Sequence, residues 1–292
     1  MVPEKRGKMQ TKLSFKNQEV VIGDGQPTRL IGERINPTGR KKLTAALQAG
    51  DLDIIRKEAV DQVQAGADIL DVNMGVVGSD EVALMTKAIK IVMAEVEVPL
   101  CLDSAAPKVL EAALKVYLGK ALINSVTGEE KSLASVLPLV KEYGAAVIGL
   151  AMDEEGIPHE PERRLAVAAK IVERAESMGI PRENVIIDCL TMAVGAEAKA
   201  GLITLESIRL VKRELGVNMT LGASNLSFAL PDRPLLTNAF LSLVIEAGVN
   251  CPIVDALKVR PAVLATDLIR GADPYAMRYV RAYKQRQALA GG

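Results

Sequence analysis

The sequence predicts an α/β protein built as one (β/α)8 TIM barrel with a short N-terminal β-hairpin, and three observations carry that prediction. First, a helical stretch runs into a glycine and then a short apolar burst six times. Gly66 leads to Asp68-Ile-Leu-Asp-Val-Asn73, Gly119 to Ala121-Leu-Ile-Asn124, and Gly144 to Ala145-Ala-Val-Ile-Gly-Leu150. Gly179 precedes Val185-Ile-Ile-Asp188, Gly216 precedes Met219-Thr-Leu-Gly222, and Gly248 precedes Pro252-Ile-Val-Asp255. A glycine just past a helix supplies a left-handed C-cap, and the apolar run that follows reads as a buried parallel strand. Second, the bursts often stop on Asp or Asn, which places polar groups at the C-terminal strand ends, where such folds gather their chemistry. Third, eight strand–helix units fit into roughly 260 residues, the usual size of such a barrel.

In chain order, residues 1–18 are polar and read as loose, and Val20-Val-Ile22, the turn Gly23-Asp-Gly-Gln-Pro27 and Leu30-Ile-Gly32 read as strand, turn and strand. The last of these, running into Gly32-Glu33-Arg34-Ile35-Asn36, is the first barrel strand. The apolar positions 55, 59, 60 and 63 give one helical face, with Asp51 or Asp53 as its N-cap. Strands are expected near 29–33, 68–72, 99–103, 120–124, 145–150, 184–188, 218–222 and 252–255. Further helices fall near 79–95, 106–117, 129–143, 161–178, 203–215, 234–247 and 261–289. Residues 1–27 form the extension and hairpin, and 28–292 the barrel. Gly23-Asp-Gly25 precedes Gln-Pro and a strand rather than a helix, so it fails as a dinucleotide fingerprint.

Composition narrows the function. Of 292 residues, 49% are hydrophobic and 25% charged, ample for a large single core. Lys plus Arg and Asp plus Glu number 36 each, which lacks the electrostatic footprint of a nucleic-acid binder. Tryptophan is absent, so stacking platforms for bases are scarce as well. No apolar run approaches membrane-spanning length, and no apolar segment follows the basic start. Three widely spaced cysteines, Cys101, Cys189 and Cys251, suit reduced core thiols in a cytoplasmic protein rather than a metal site.

On the barrel reading, Glu33, Asn36, Asp71, Asn73, Asp103, Asn124, Asp188, Asn225 and Asp255 crowd the mouth. The sole histidine, His159, sits in the loop Gly156-Ile-Pro-His-Glu160, so neither a zinc site nor a Ser–His–Asp dyad fits. Carboxylates and carboxamides without histidine suit a flat heterocycle rich in donors and acceptors. One carboxylate accepts both N–H groups of a 2-aminopyrimidinone edge. Asp71 and Asp255 fit equally a site role and a bland one as helix caps.

The segments Leu30-Ile-Gly-Glu-Arg-Ile-Asn-Pro-Thr-Gly39, Leu100-Cys-Leu-Asp-Ser104, Ala121-Leu-Ile-Asn-Ser125, Val185-Ile-Ile-Asp-Cys-Leu190 and Leu221-Gly-Ala-Ser-Asn-Leu-Ser-Phe228 resemble one family in order across residues 28–285. They look like the pterin-binding methyltransferases that act on methyltetrahydrofolate and a corrinoid protein. That group includes the methyltransferase of the acetyl-CoA pathway, the folate module of cobalamin-dependent methionine synthase and the second methyltransferases of anaerobic demethylase systems. Dihydropteroate synthase shares the barrel, but its Ser-Arg-Lys motif would fall at Ser224-Asn225-Leu226. Its Gly-rich Ser-Thr-Arg loop would fall at Asn73-Met-Gly-Val-Val-Gly78.

The resemblance implies that Asp103, Asn124 and Asp188 hydrogen-bond the pterin, and that Asn225 sits beside N5 as the catalytic group. Glu33 and Arg233 complete the pocket, Arg233 as a contact to folate or to a loop. It implies methyl transfer between tetrahydrofolate and the cobalt of a separate corrinoid protein, because this chain lacks Asp-x-His-x-x-Gly around its histidine. A homodimer is implied too. The rival readings are dihydropteroate synthesis and a non-catalytic pterin-binding barrel.

Overall fold

The computed structural model describes residues 9–290. Eight parallel strands form the barrel: β3 (Ile31–Ile35), β4 (Ile69–Asn73), β5 (Leu100–Asp103), β7 (Leu122–Thr127), β8 (Ala146–Leu150), β9 (Val185–Asp188), β10 (Asn218–Thr220) and β11 (Ile253–Val254). Each pairs with its neighbour in this order, and β11 returns to pair with β3. Closure between β10 and β11 comes from a bridge of Gly222 to Ile253 and from Ile253 N–H on the Leu221 carbonyl at 3.0 Å. The outer ring is α2 (Asp53–Gln64), α3 (Glu81–Glu95), α4 (Pro107–Val116), α5 (Glu130–Tyr143), α6 (Pro161–Ser177), α7 (Ala200–Leu215), α8 (Arg233–Ala247) and α9 (Ala256–Ile269). Gly144 and Gly216, at φ 60° and 67°, cap α5 and α7 in the left-handed conformation the sequence led us to expect.

Strand residues two apart share a face, so the barrel interior is layered. Ile31, Ile69, Cys101, Leu122, Ala146, Ile148, Ile186 and Cys251 fill its lower part with no exposure. One pleat higher the same strands carry Glu33, Asp71, Asp103, Asn124 and Asp188, the start of the mouth. The opposite strand faces pack against the helices in one continuous apolar shell.

The structure refines several expectations. The hairpin falls within residues 1–27 as expected, as β1 (Gln10–Phe15) with β2 (Gln18–Gly23), and 31–35 is the expected first barrel strand. Residues 10–15, read as loose, alternate Thr11, Leu13 and Phe15 inward; residues 1–8 lie outside the described residues. Leu13 and Ile22 join the lower barrel layer, so the hairpin stoppers the barrel's N-terminal end. Asn218 Nδ2 fixes it by donating to Thr11 Oγ1 (2.9 Å) and to the Ile22 carbonyl (3.1 Å). The strand expected at 120–124 divides: Gly119–Lys120 (β6) pairs with β1, and barrel strand β7 starts at Leu122. An unanticipated helix, α1 (Lys41–Gln48), follows β3. The long helix expected over 261–289 breaks at 270–276, giving α9 and then α10 (Met277–Ala290). The N-cap position of α2 is Leu52, while the Asp51 carboxylate accepts the Asp53 N–H at 3.0 Å.

Candidate active site

The mouth is assembled by strand register. Asp103 lies opposite Asn73 on one side and Asn124 on the other. Asp188 lies opposite Leu150 and Thr220. Asp103 Oδ2 accepts from Asn73 Nδ2 at 3.0 Å and from Asn36 Nδ2 at 3.4 Å. Asp71, 2% exposed, lies beneath and accepts from Asn124 Nδ2 at 3.2 Å. Burial, and then the charge of Asp103, push the Asp71 carboxyl well above the usual carboxylate range. Burial thus favours its protonated, uncharged form. Burial lifts Asp103 to about 6, with hydrogen bonds from Asn73 and Asp71 acting the other way. A buried carboxyl that favours its protonated form thus lies beneath one that faces the mouth.

Asp188 is lifted to about 6 by burial, offset by the N–H groups of Leu190 and Gly222 and by Arg164. Its Oδ1 accepts the Leu190 N–H at 2.6 Å, across a turn in which Leu190 takes φ 62°. A non-glycine residue there is strained and must be held. Arg164 on α6, 1% exposed, does the holding: Nη1 donates to the carbonyls of Cys189 (3.0 Å) and Leu190 (2.9 Å), and Nε to that of Pro158 (2.7 Å). This role for Arg164 has no local sequence signal, because an arginine in the first turn of a helix reads as surface charge.

Asn225 rides on a single 3-10 turn, Ala223–Ser227, directly after β10, and is exposed at the mouth. Its neighbour Ser224 donates to Glu33 Oε2 at 3.3 Å. Arg233, at the start of α8, donates through Nη2 to the Ser224 carbonyl at 2.9 Å and through Nε to Ser227 Oγ at 3.3 Å. Of the two contacts anticipated for Arg233, the structure supplies the one to the loop. Ser224 itself, an unforeseen member of the site, links the two.

Glu33 sits at a register shift in β3, between Gly32 and Ile35. A bulge re-aims successive side chains. Glu33 faces a cleft of about 140 Å³ shared with Ser224, Arg233, Asp255 and Lys258. Arg34 turns instead to Glu58 (2.6 and 3.1 Å) and Asp255 (3.0 Å), while Arg40 also holds Glu58 at 2.6 Å. Burial raises Glu33 to about 7, with the Ser224 hydroxyl, Lys258 and Arg233 opposing and Asp255 reinforcing. Asp255 plays both parts left open for it: its side chain caps α9 through the Leu257 N–H (3.2 Å) and its carboxylate pairs with Arg34 and Lys258.

Cys101, Cys189 and Cys251 are buried, and burial pushes each thiol above its ordinary range. His159 is exposed in the loop between β8 and α6. What the mouth offers is two acceptors able to ionise near neutrality, carboxamides beside them and a buried carboxyl that favours its protonated form. That set can orient a planar heterocycle and manage a proton.

Comparison with known proteins agrees. Residues 32–255 match the family model described as pterin binding enzyme. The chain is 30% identical over 266 residues to the methylcorrinoid:tetrahydrofolate methyltransferase of Eubacterium limosum, covering 88% of this chain and 96% of that one. It is 34% identical over 272 residues to methionine synthase of Mycobacterium tuberculosis, covering 89% of this chain and 23% of that protein. Against the Mycobacterium leprae methionine synthase it is 38% identical over 246 residues, spanning 20% of that protein. The chain thus spans about a fifth of the two methionine synthases. Solved dihydropteroate synthases share the fold: that of Yersinia pestis superposes with a TM-score of 0.69 at 14% identity, covering 90% of this chain and 99% of that one. That of Thermus thermophilus gives 0.67 at 21%, covering 89% and 99%. The chain belongs to the family of pterin-binding enzymes and, within it, to the methyltransferases.

Proposed function

We propose that this protein transfers a methyl group between N5 of tetrahydrofolate and the cobalt of a corrinoid carried by a separate protein. The observation that carries the reading is the gathering of Asp103, Asn124 and Asp188 on β5, β7 and β9 at the barrel mouth, Asp188 one pleat above the Asp103–Asn124 pair, with Asn225 on the turn after β10. Ionised Asp103 and Asp188 accept N–H groups of the pterin's pyrimidine edge, and Asn124 meets a ring atom. Such buried, charge-assisted pairs discriminate strongly against a heterocycle lacking the donors.

A tertiary amine is a poor leaving group. As the carbon–nitrogen bond breaks, its electron pair stays on N5, and a hydrogen bond or proton that strengthens there lowers the barrier. The Asn225 carboxamide would be the donor for this, and the buried Asp71 carboxyl, which favours its protonated form, lies in the same mouth. Exposed Val77, Phe228 and Leu257 around the mouth give a docking protein apolar footing. On the flank, exposed Leu235, Leu236 and Leu243 of α8 offer a surface for the expected homodimer. No helix among the described residues is long and apolar enough to cross a membrane.

The test is to mix the protein with methyltetrahydrofolate and reduced cobalamin and follow the Co(I) absorbance. Decay to methylcobalamin, lost in Asn225→Ala while folate still binds, supports the assignment. Full turnover by Asn225→Ala would remove the role given to that residue. Absence of saturable folate binding would sink the pterin reading itself.

A further inference from the structure

Outside the barrel, a second concavity of about 450 Å³ runs between the end of α2, the start of α9 and the exposed helix α10. We propose that this groove binds a compact polyanion, a small molecule bearing phosphate or clustered carboxylates, through Arg260, Arg278, Arg281 and Arg286. The volume falls in the range of small-ligand sites, about 300–1,000 Å³.

Its charge is one-sided. Four arginines line the groove, and no acidic side chain among the described residues does, although the chain carries 36 acidic residues. The nearest carboxylates stand behind the wall and are already engaged. Asp267, with no exposure, accepts from Thr28 N (3.0 Å), Thr28 Oγ1 (2.6 Å) and Arg278 Nη1 (2.9 Å). Asp68 accepts from Arg29 Nη1 (3.2 Å) and Leu30 N (2.9 Å).

Arg260 is attracted to both acids but hydrogen-bonds neither through Nη1. Its Nη1 stands 3.8 Å from Asp68 Oδ2, beyond hydrogen-bond reach, and is shielded from solvent with no hydrogen-bond partner among the described residues. A buried donor without an acceptor costs about 1–3 kcal/mol. Burial lowers the pKa of the guanidinium, Asp68 and Asp267 oppose this, and repulsion from Arg278 and Arg29 adds to it. An anion in the groove relieves these electrostatic costs. Arg281 and Arg286, one and two turns further along α10, form no ion pair or side-chain hydrogen bond among the described residues. Planar guanidiniums grip oxyanions two oxygens at a time, which suits phosphate and carboxylate alike. Leu257, Pro261 and Leu264 supply an apolar side for the rest of such a molecule.

This inference does not depend on methyl transfer. The test is calorimetric titration of the full chain with pyrophosphate and, separately, citrate at about 0.15 M salt, where weak surface attraction is largely screened. Wild type is expected to saturate at one site with at least one probe. The variant R281A/R286A, which alters only exposed side chains, is expected to bind at least about tenfold more weakly. R281K/R286K should fall between, since lysine keeps the charge but not the fork. Tighter pyrophosphate assigns the ligand to phosphates, tighter citrate to carboxylates. A D188N control should titrate like wild type, and methyl transfer by R281A/R286A should be unchanged. Failure to saturate with either probe, or equal affinity in R281A/R286A, overturns the proposal.

Discussion

The Arg233 guanidinium donates to the main-chain carbonyl of Ser224, 2.9 Å away, one residue before Asn225. With the Ser224 hydroxyl on Glu33 at 3.3 Å, the turn carrying Asn225 is gripped from two sides. Arg233 is exposed, so its loss should cost little stability. Arg233→Ala is expected to lower kcat roughly tenfold, the worth of one charged hydrogen bond spent on orientation, with folate affinity changed much less. Steady-state kinetics with a Kd measurement separate the two. A loss confined to Kd would make Arg233 a folate contact instead.

Gly222 lies where a side chain would meet the Asn225 carboxamide: an added Cβ would sit 3.0 Å from Nδ2. The neighbour is the end of a flexible chain, so Gly222→Ala should fold normally. The displaced carboxamide should cost about 10-fold or more in turnover, since catalytic geometry tolerates little misplacement. Unchanged kcat in a folded Gly222→Ala would show that Asn225 acts from another rotamer.

Glu33 links the site to pH. Its carboxyl titrates near 7 when folded and near 4.5 in an unconstrained chain, so the native state binds the proton more tightly. Stability from this group is fully present below the unfolded value and is lost as pH rises toward 7. Glu33→Gln removes the titration. It should be more stable than wild type by about 1–3 kcal/mol above pH 7.5, and the two should converge near pH 4–5. Denaturant midpoints across that range measure the difference. The reverse order at high pH would mean that Lys258 and Arg233 hold Glu33 ionised.

Arg164 makes three hydrogen bonds to main-chain carbonyls from 1% exposure. Arg164→Met leaves those acceptors bare in the interior, and we expect a loss of about 3–5 kcal/mol. Because the turn below them presents the Leu190 N–H to Asp188, folate affinity should also fall in whatever fraction remains folded. Equilibrium unfolding and folate titration of the same variant test both effects.

The barrel was legible because its punctuation is local: a C-capping glycine, then an apolar run, repeated. Asp103, Asn124 and Asp188 were legible for the same reason, as polar residues closing such runs. The first hairpin strand was not, because Gln10-Thr-Lys-Leu-Ser-Phe15 is polar on average, and only its alternation shows that Thr11, Leu13 and Phe15 are buried. The break between α9 and α10 was signalled by Gly271 and by Asp273-Pro274 but was overridden by the helical pattern on either side. Arg164, Ser224 and the groove arginines depend on partners or neighbours far away in sequence, which no local pattern encodes.

The stoppered base of the barrel has a consequence for the order of events. Leu13, Ile22, Ile31 and Ile69 have no exposure, so the cup opens at the strands' C-terminal ends, and on the proposed reaction a docked corrinoid protein would cover that opening. Any proton N5 took up during transfer would then have to be aboard before docking. The buried Asp71 carboxyl, which favours its protonated form, would exchange with solvent only between visits.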